Sequence, residues 1–384
     1  MRTLDSLYRQ AKRHRWWFKQ IGLPFFLTRL LLVGVAWFSR AVLPSGYAPS
    51  RGWAFSPHWW LDIWGRWDSG WYFSIVANGY TPIANAEGQR NTAFSPLYPY
   101  LVRLIHNLFI PKSVQTPGTV LLVAAFVSNV AFLAALTLLY TLIVRKWNRP
   151  AVARAAVIYL CVYPTSFIFS SFYTESLYLF LSLAMFHAAE RRKWLPAGLI
   201  GGLATLTRSV GVMGLIPLGI LFLKKERRLK WNLLWLGLIP LGLLIYGFLA
   251  YQVTGDPFEI RNVHKAWEEN HMDWPWHALF FPHPPYPYMQ QVDQVMTLLF
   301  IGLSILSLRC DLGLGTWALL NLLVPLTLTN LISMTRFISV VFPAFVVLAE
   351  WGERWPWLHQ AVLISLAILL GGLMVLWARF YWVV

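Results

Sequence analysis

The stretch TVLLVAAFVSNVAFLAALTLLYTLIV, residues 119–144, decides the fold class because it is long, apolar and free of charged residues. A helix that crosses the hydrocarbon layer of a membrane needs about 20 mainly apolar residues. Four further runs of this kind cover residues 21–43, 231–253, 313–332 and 360–379. The sequence therefore predicts an all-α polytopic membrane protein.

The overall composition supports the same fold class. Of the 384 residues, 57% are hydrophobic and only 12% are charged, and the mean hydropathy is +0.52. A soluble enzyme could not keep so much apolar surface away from water, so that class is excluded. Shorter apolar runs bring the prediction to about eleven transmembrane helices in a single membrane domain over residues 1–384, and they cover 151–169, 172–189, 195–207, 209–223, 294–308 and 337–350.

The positions of the positive charges predict the orientation of the chain. The net charge is +16, but the basic residues lie between apolar runs, which is typical of cytoplasmic loops and argues against a nucleic-acid surface. With the basic N-terminal segment 1–20 in the cytoplasm, the inner segments carry twice as many Lys and Arg as the outer ones. We expect a multi-pass protein of the bacterial plasma membrane with a cytoplasmic N-terminus.

Two long segments then lie on the outer side, at residues 44–118 and 254–293. The first is rich in Trp, Pro and Gly, and aromatic side chains of this kind favour the membrane interface. Within it, residues 97–110 are too short and too polar for a span, and we interpret them as an interfacial helix. The segment 44–118 is the predicted catalytic loop.

Four charged residues at the mouths of apolar runs point to a functional site. Under the predicted topology Asp68, Glu175, Arg208 and Arg336 all emerge on the outer face. Charged groups at such positions are costly, so they are candidates for function. Two carboxylates and two arginines at one mouth can deprotonate a hydroxyl and hold a phosphate. The chemistry suggested is group transfer from a phosphorylated lipid.

Structural interpretations of the same residues stay open at this point. Asp68 could pair with Arg66 or another arginine as a loop-fixing contact. Glu175 and Arg208 could form an ion pair between two short hairpins. Arg336 could extend to the interface as a snorkelling residue.

Motifs for metals and nucleotides are absent from the sequence. No Walker loop, dinucleotide fingerprint or Asp-x-Asp occurs, and His264, His271, His277 and His283 lack a tight metal-ligand spacing. We therefore predict no metal-ligating residues. The pair Gly198 and Gly202 indicates close helix packing.

Several ordered sequence blocks surround these charged residues, namely RWDSGWYF at 66–73, FSPLYP at 94–99, YTES at 173–176, ATLTRS at 204–209 and RF at 336–337. Together they resemble the PIG-V family, the second mannosyltransferase of GPI-anchor synthesis, and its prokaryotic relatives. The resemblance runs from about residue 60 to about residue 345. Where eukaryotic members have His-Phe soon after the Trp-Asp pair, this chain has Trp-Tyr.

The resemblance implies a GT-C-type glycosyltransferase that takes a sugar from a polyprenyl-phosphate carrier, with its catalytic acid in the first outer loop. Trp67 and Asp68 match the Trp-Asp pair of the family, Glu175 its glutamate and Arg208 its arginine. The sugar that the family implies is mannose.

We therefore expect transfer of a hexose to an acceptor hydroxyl on the outer face of the membrane, with inversion and with Asp68 as the general base. The acceptor is a lipid, a glycan or a protein. The phosphate is a competent leaving group without a metal, and assistance by Mn²⁺ or Mg²⁺ is left open. The predicted substrate-binding residues are Arg66, Trp67, Trp71, Tyr72, Glu175, Arg208 and Arg336.

Two rival functions are compatible with the residues. A transporter or flippase for a lipid or a lipid-linked sugar would use the same outer charges to bind a headgroup without chemistry. A non-catalytic scaffold for a partner glycosyltransferase would not need Asp68 at all.

Overall fold

The structure, a computed structural model, describes residues 15–46, 54–266, 274–280, 287–327 and 331–383. All regular secondary structure in these ranges is helical. Parts of four predicted segments lie outside the described residues, namely 1–14 of the basic N-terminus, 47–53 of the first outer loop, 267–273 and 281–286 of the second, with His271 and His283, and 328–330 of the span 313–332.

The helices follow the predicted apolar runs closely. A short π-helical turn, Phe18–Gly22, leads into the first of them, and helical turns of three to seven residues link several others. The main helices are α1 (Leu23–Val42), α2 (Ser69–Asn78), α3 (Leu97–Phe109), α4 (Pro117–Trp147), α5 (Pro150–Cys161), α6 (Glu175–Glu190), α7 (Trp194–Thr207), α8 (Leu215–Glu226), α9 (Leu238–Thr254), α10 (Pro287–Cys310), α11 (Leu312–Leu326), α12 (Met334–Ile338), α13 (Phe342–Arg354) and α14 (Pro356–Ala378).

Among the described residues, five helical stretches are long and apolar enough to cross a membrane, and they differ from the predicted set in one place. Arg15–Val42, Pro117–Trp147, Trp231–Thr254 and Pro356–Ala378 match predicted spans. The fifth, Met289–Cys310, contains the shorter predicted run 294–308. The predicted span at 313–332 overlaps the 15-residue helix α11, and its residues 328–330 lie outside the described residues. Polar residues near the start of α10, including Asp293, make the helix look shorter in a count of apolar residues. The structure nevertheless buries Asp293.

Helix α4 is the longest helix and has clear end signals. At its start, the Thr116 side chain accepts from the Thr119 backbone N–H while the Thr119 hydroxyl accepts from the Thr116 backbone, a capping box, and Pro117 occupies the first turn. At its end, Asn148 adopts the left-handed conformation with φ 53°. Its 31 residues allow it to run the full height of the bundle.

Helices α7 and α9 pack closely through glycines, as predicted for Gly198 and Gly202. A Cβ atom added to Gly198 would lie 1.9 Å from the Trp235 carbonyl oxygen, and one on Gly202 would lie 2.6 Å from the Leu238 carbonyl oxygen. No side chain fits at those distances, so glycine is required for this approach.

Two lysines of segments that the charge pattern assigns to the inner side of the membrane contact carboxylates at one end of the bundle. Lys146 lies 2.9 Å from Asp311, and Lys225 lies 2.8 Å from Glu190. Glu190 ends α6, whereas Glu175 begins it, so these contacts and the outer charged residues occupy opposite ends of this helix.

Candidate active site

Asp68 precedes α2 in a turn that Arg66 holds in place. The Arg66 guanidinium, which is 2% exposed, bonds the Asp62 carboxylate at 2.8 Å and lies 3.7 Å from the centre of the Phe380 ring. The next residue, Trp67, has φ 49°, a left-handed conformation that is costly for a non-glycine residue and persists only where its surroundings fix it. Arg66 therefore positions the turn and pairs with Asp62 instead of Asp68.

Four charged side chains form a continuous chain of ion pairs at this turn. Nη1 of Arg336 donates to Oδ2 of Asp68 at 2.6 Å, and Nε of Arg336 lies 3.5 Å from Oε1 of Glu175. The same Glu175 oxygen accepts a hydrogen bond from Nη1 of Arg208. The two carboxylates and two guanidiniums alternate, so each charge lies beside one of opposite sign.

Buried contacts to the neighbouring residue Thr335 fix the position of Arg336 in α12. Asp293 Oδ1 accepts hydrogen bonds from the backbone N–H of Thr335 at 2.8 Å and from its hydroxyl at 2.5 Å. The Tyr163 hydroxyl donates to the Thr335 carbonyl at 2.9 Å. Arg336 is only 8% exposed, so it is a buried partner of Asp68 and not a snorkelling residue.

Tyr173 connects the Asp68 turn to the start of α6. Its hydroxyl donates to the Arg66 carbonyl at 3.0 Å and accepts from the Asp68 backbone N–H at 3.2 Å. The Arg336 guanidinium lies 5.2 Å from the centre of its ring. Sequence reasoning quoted Tyr173 only as part of a motif, because a hydroxyl that bonds backbone atoms leaves no signal in the sequence.

Burial and the two carboxylates shift the pKa values of the neighbouring groups. Burial raises the pKa of the Tyr72 phenol, and the nearby Glu175 and Asp68 raise it further. Burial lowers the pKa of Arg336, but Asp68 and Glu175 outweigh it, and the net pKa lies well above its ordinary value. Tyr72 is therefore a neutral hydroxyl in the site, and Arg336 keeps its charge.

A cavity of about 1000 Å³ opens beside this chain of ion pairs. Asp68 and Tyr72 line it on one side, and Arg208 and Arg336 also reach it. Its remaining charged or titratable lining comes from the second outer segment and consists of Arg261, His264 and Lys265. The cavity thus contains four permanently basic side chains and one carboxylate.

Glu259 holds the second outer segment against the first outer loop beside this cavity. This carboxylate is 2% exposed, lies 3.2 Å from Arg90 and accepts a hydrogen bond from the Thr92 hydroxyl at 2.6 Å. The contact brings Arg261 and Lys265, which follow Glu259 within six residues, to the first loop. Sequence reasoning missed both basic residues because nothing in their spacing reveals this contact.

A second cavity of about 560 Å³ lies on the other side of Asp68. Its lining includes the rings of Trp67, Trp71 and Trp382, and it also contains the polar side chains of Asn85, Glu87 and Gln89. Asp68 lines both cavities. Trp382 lies near the end of the chain and contacts Trp67 edge to face, with ring centres 4.8 Å apart.

The structure therefore brings most of the predicted site residues together. Asp68, Tyr72, Arg208 and Arg336 line the larger cavity, and Glu175 lies behind it at 1% exposure. Trp67 and Trp71 line the smaller one with Asp68, and Arg66 lines neither.

The described residues do not form a metal site. In these parts of the chain no group of three or more His, Cys, Asp or Glu side chains comes together. Near the cavity, the carboxylates of Asp68 and Glu175 are bridged by Arg336, whose charge occupies the place between them. This donor set does not suit Mn²⁺ or Mg²⁺.

Comparison with known proteins identifies the family of the chain. The family model for Mannosyltransferase (PIG-V) matches residues 56–291, a range that contains Asp68, Glu175 and Arg208. The chain belongs to the PIG-V mannosyltransferase family. The predicted resemblance is thereby confirmed.

Curated relatives match about half of this chain or less. GPI mannosyltransferase 2 of Drosophila pseudoobscura is 29% identical over 206 residues, which are 49% of this chain and 44% of the relative. The protein of that name from Cryptococcus neoformans is 32% identical over 157 residues, 40% of this chain and 35% of the relative. The chain therefore matches less than half the length of these relatives.

Solved structures show the same fold at low identity. ArnT from Cupriavidus metallidurans bound to undecaprenyl phosphate aligns with a TM-score of 0.52 and 15% identity over 89% of this chain and 62% of that one. The apo oligosaccharyltransferase of Archaeoglobus fulgidus aligns with a TM-score of 0.50 and 11% identity over 93% and 56% of the two chains. The chain therefore has the GT-C fold of membrane glycosyltransferases, as predicted.

Proposed function

We propose that this protein transfers a hexose, mannose by its family, from a polyprenyl-phosphate carrier to an acceptor hydroxyl. The observation that carries the proposal is that Asp68 lines both cavities. A group transfer needs its two substrates to be held together at the point where the bond is exchanged, and a residue that borders both cavities marks such a point. The rival function of headgroup transport gives no reason for a carboxylate at that point.

The charges indicate which substrate each cavity accepts. The larger cavity is rich in arginine and lysine, which suits the phosphate of the donor. The smaller cavity is lined by tryptophan rings, the amides of Asn85 and Gln89 and the carboxylate of Glu87, which suit the face and the hydroxyls of a sugar-bearing acceptor. The donor would therefore lie on the Arg208 side of Asp68 and the acceptor on the Trp71 side.

In the proposed reaction Asp68 acts as the general base. The acceptor hydroxyl gives its proton to the free oxygen of the Asp68 carboxylate while its oxygen bonds the anomeric carbon. The bond from that carbon to the phosphate oxygen breaks at the same time, and polyprenyl phosphate leaves with one additional negative charge. Attack from the face opposite the leaving group inverts the anomeric centre.

The basic residues would stabilise the charge on the leaving phosphate. Arg336 and Arg208 are already paired with Asp68 and Glu175, so the phosphate would share them with the carboxylates. Arg261 and Lys265 supply charge at the cavity rim without such a partner within 4 Å among the described residues. Stabilisation of a developing anion is a large contribution to catalysis.

We place the site on the outer face of a bacterial plasma membrane, with the N-terminus in the cytoplasm. The excess of basic residues in the segments at the opposite end of the bundle supports this orientation. The partners proposed are the lipid bilayer, the polyprenyl-phosphate-linked donor and a lipid, glycan or protein acceptor.

Sugar transfer in proteoliposomes tests the proposed function. Wild type and Asp68→Asn are supplied with radiolabelled polyprenyl-phosphate-mannose and a crude lipid and protein extract as the acceptor source. We expect a labelled product with wild type that is lost with Asp68→Asn and kept with Glu353→Gln, an equal charge change far from the cavities. Transfer by Asp68→Asn at the wild-type rate would rule out the base. Donor that binds and crosses the membrane without new product would favour the transporter.

A further inference from the structure

A third cavity, of about 510 Å³, lies at the other end of the bundle from Asp68. Helix α6 links the two places, because it begins at Glu175 in the site and ends at Glu190 in this cavity, 16 residues or about 24 Å away. Three chain segments form it, namely the end of α4, the turn between α6 and α7, and the end of α8. Its lining residues are Lys146, Glu190, Arg192, Leu221, Lys224, Lys225 and Arg227.

Half-buried ion pairs build the frame of this cavity. Lys146 contacts the carboxylates of Glu190 and, at 2.9 Å, Asp311. Lys225 contacts the Glu190 carboxylate at 2.8 Å and donates to the Glu190 carbonyl at 2.9 Å. The pairs join α4, α6, α8 and the start of α11, so the arrangement is ordered and not a set of separate surface charges.

The frame leaves an excess of positive charge. Arg192, Lys224 and Arg227 also line the cavity, and of these only Lys224 approaches a carboxylate within 4 Å among the described residues, at 3.8 Å from Asp311. The carbonyl ends of three helices converge here and favour some of these cations, but each helix end offsets only about half a charge. The five basic residues outnumber the two carboxylates by three charges, which is more than the three helix ends offset.

The backbone at the two arginines is a second, independent observation. Arg192 has φ 57° and lies two residues after the end of α6, and Arg227 has φ 56° and directly follows α8. Helices commonly end on a left-handed residue, but glycine is the residue that fits there without steric cost. The sequence instead places a long cation at both positions, and both line the same cavity.

Exposed large hydrophobic residues lie close in sequence to the lining residues of α8. They are Leu223 within α8, and Leu229 and Trp231 on the segment that follows it. In a membrane protein such residues face lipid tails or the interface, where Trp is favoured. A ligand here would therefore have its phosphate among the cations and an apolar part beside these residues.

We infer that this cavity binds the phosphate of an anionic membrane lipid. Basic pockets between transmembrane helices on the cytoplasmic side suit such headgroups. The inference is independent of the proposed sugar transfer, because it involves none of the residues around Asp68. A free phosphate ion has the same charge, and the experiment separates the two sources.

The test compares lipid retention in wild type and in the double variant Arg192→Gly/Arg227→Gly. Glycine removes both charges and suits the left-handed backbone, so the variant should unfold at a temperature no lower than wild type does. The matched control is Arg145→Gln/Arg309→Gln, which removes two exposed inner charges that do not line the cavity. Each protein is purified from mixed phosphatidylglycerol and phosphatidylcholine, and the retained lipid is measured by native mass spectrometry.

We expect wild type and the control to retain one phosphatidylglycerol in preference to phosphatidylcholine, and the glycine variant to lose that preference about tenfold or more. Equal retention by the folded glycine variant would overturn the inference. Inorganic phosphate is then titrated into protein in pure phosphatidylcholine nanodiscs. Tight binding of phosphate that needs both arginines, without retention of phosphatidylglycerol, would reject the lipid and leave a site for free phosphate.

Discussion

Arg336 and Asp68 lie 268 residues apart in the chain, and Nη1 of the first donates to Oδ2 of the second at 2.6 Å. This contact joins α12 to the turn before α2. The same guanidinium reaches Glu175 at the start of α6, so one residue links three distant segments around the larger cavity. The arrangement of the site depends on this arginine more than on any contact within the first loop.

Replacing Arg336 should therefore impair both charge balance and geometry. We expect Arg336→Gln to lower kcat about 100-fold or more, because the leaving phosphate loses a cation and Asp68 loses its partner. Arg336→Lys should recover part of this loss, since it keeps the charge but not the planar bridge. Initial rates of sugar transfer with purified protein check both. Arg309→Gln is the control, and unchanged rates in Arg336→Gln would contradict the assigned role.

Glu175 is a buried carboxylate shared by two arginines, and its loss should destabilise the fold. Removing one member of a buried ion pair leaves the other charge uncompensated, so we expect Glu175→Gln to lower the free energy of unfolding by about 3 kcal/mol. The exposed pair of Arg149 and Glu353 serves as the comparison, and Glu353→Gln should cost less than about 1 kcal/mol. Unfolding in detergent micelles measures both. Equal losses would show that burial of Glu175 carries no special weight.

The fold and the charged residues of the site could be predicted because they leave strong signals in the sequence. Apolar runs indicate helices, and Asp68, Glu175, Arg208 and Arg336 stand out as charges beside them. The pairing of Glu175 with Arg208 was among the structural interpretations of the sequence, whereas the choice of Arg336 over Arg66 as the partner of Asp68 could not be predicted. Arg29, inside the first span, bonds the carbonyl of Ser166 at 2.9 Å, an acceptor that becomes available only because the chain breaks its helix there.

The same limitation applies to the second outer segment and to α10. Arg261 and Lys265 reach the cavity through the buried contact of Glu259 with the first loop. Asp293 made α10 look too polar for a long span, yet Thr335 satisfies it from another segment. Hydropathy is a property of short windows, whereas these contacts join residues that are far apart in the chain.

Chelation of divalent ions should leave sugar transfer intact. Arg336 lies between the carboxylates of Asp68 and Glu175, where a metal ion would otherwise be held. We expect treatment with EDTA to change the transfer rate by less than about twofold, since the basic residues already balance the phosphate charge. Rates are measured before and after chelation and after addition of Mn²⁺ or Mg²⁺. A loss that Mn²⁺ restores would contradict this prediction.

Tyr173 should act as a positioning residue for Asp68. Tyr173→Phe removes the hydroxyl that bonds the backbone of both Arg66 and Asp68, so the turn loses a fixed contact. We expect kcat to fall about tenfold with little change in the KM for the donor, since a small displacement of the base weakens the chemical step. Tyr159→Phe is the matched control, because that buried phenol bonds His359 far from the cavities. Equal effects on kcat in both variants would leave Tyr173 with a general structural role.

Arg261 and Lys265 should contribute mainly to donor binding. They line the larger cavity from the second outer segment, and both are exposed, so their attraction to phosphate acts through solvent and weakens with salt. We expect Arg261→Gln/Lys265→Gln to raise the KM for polyprenyl-phosphate-mannose about 30-fold, at roughly 1 kcal/mol for each charge near the surface, with a smaller effect on kcat. Kinetics at low and high ionic strength measure the effect. Lys112→Gln, an exposed outer charge outside the cavity, is the control. In wild type the KM should rise with salt more steeply than in the double variant, and parallel salt dependence would show that these two residues do not contact the donor phosphate.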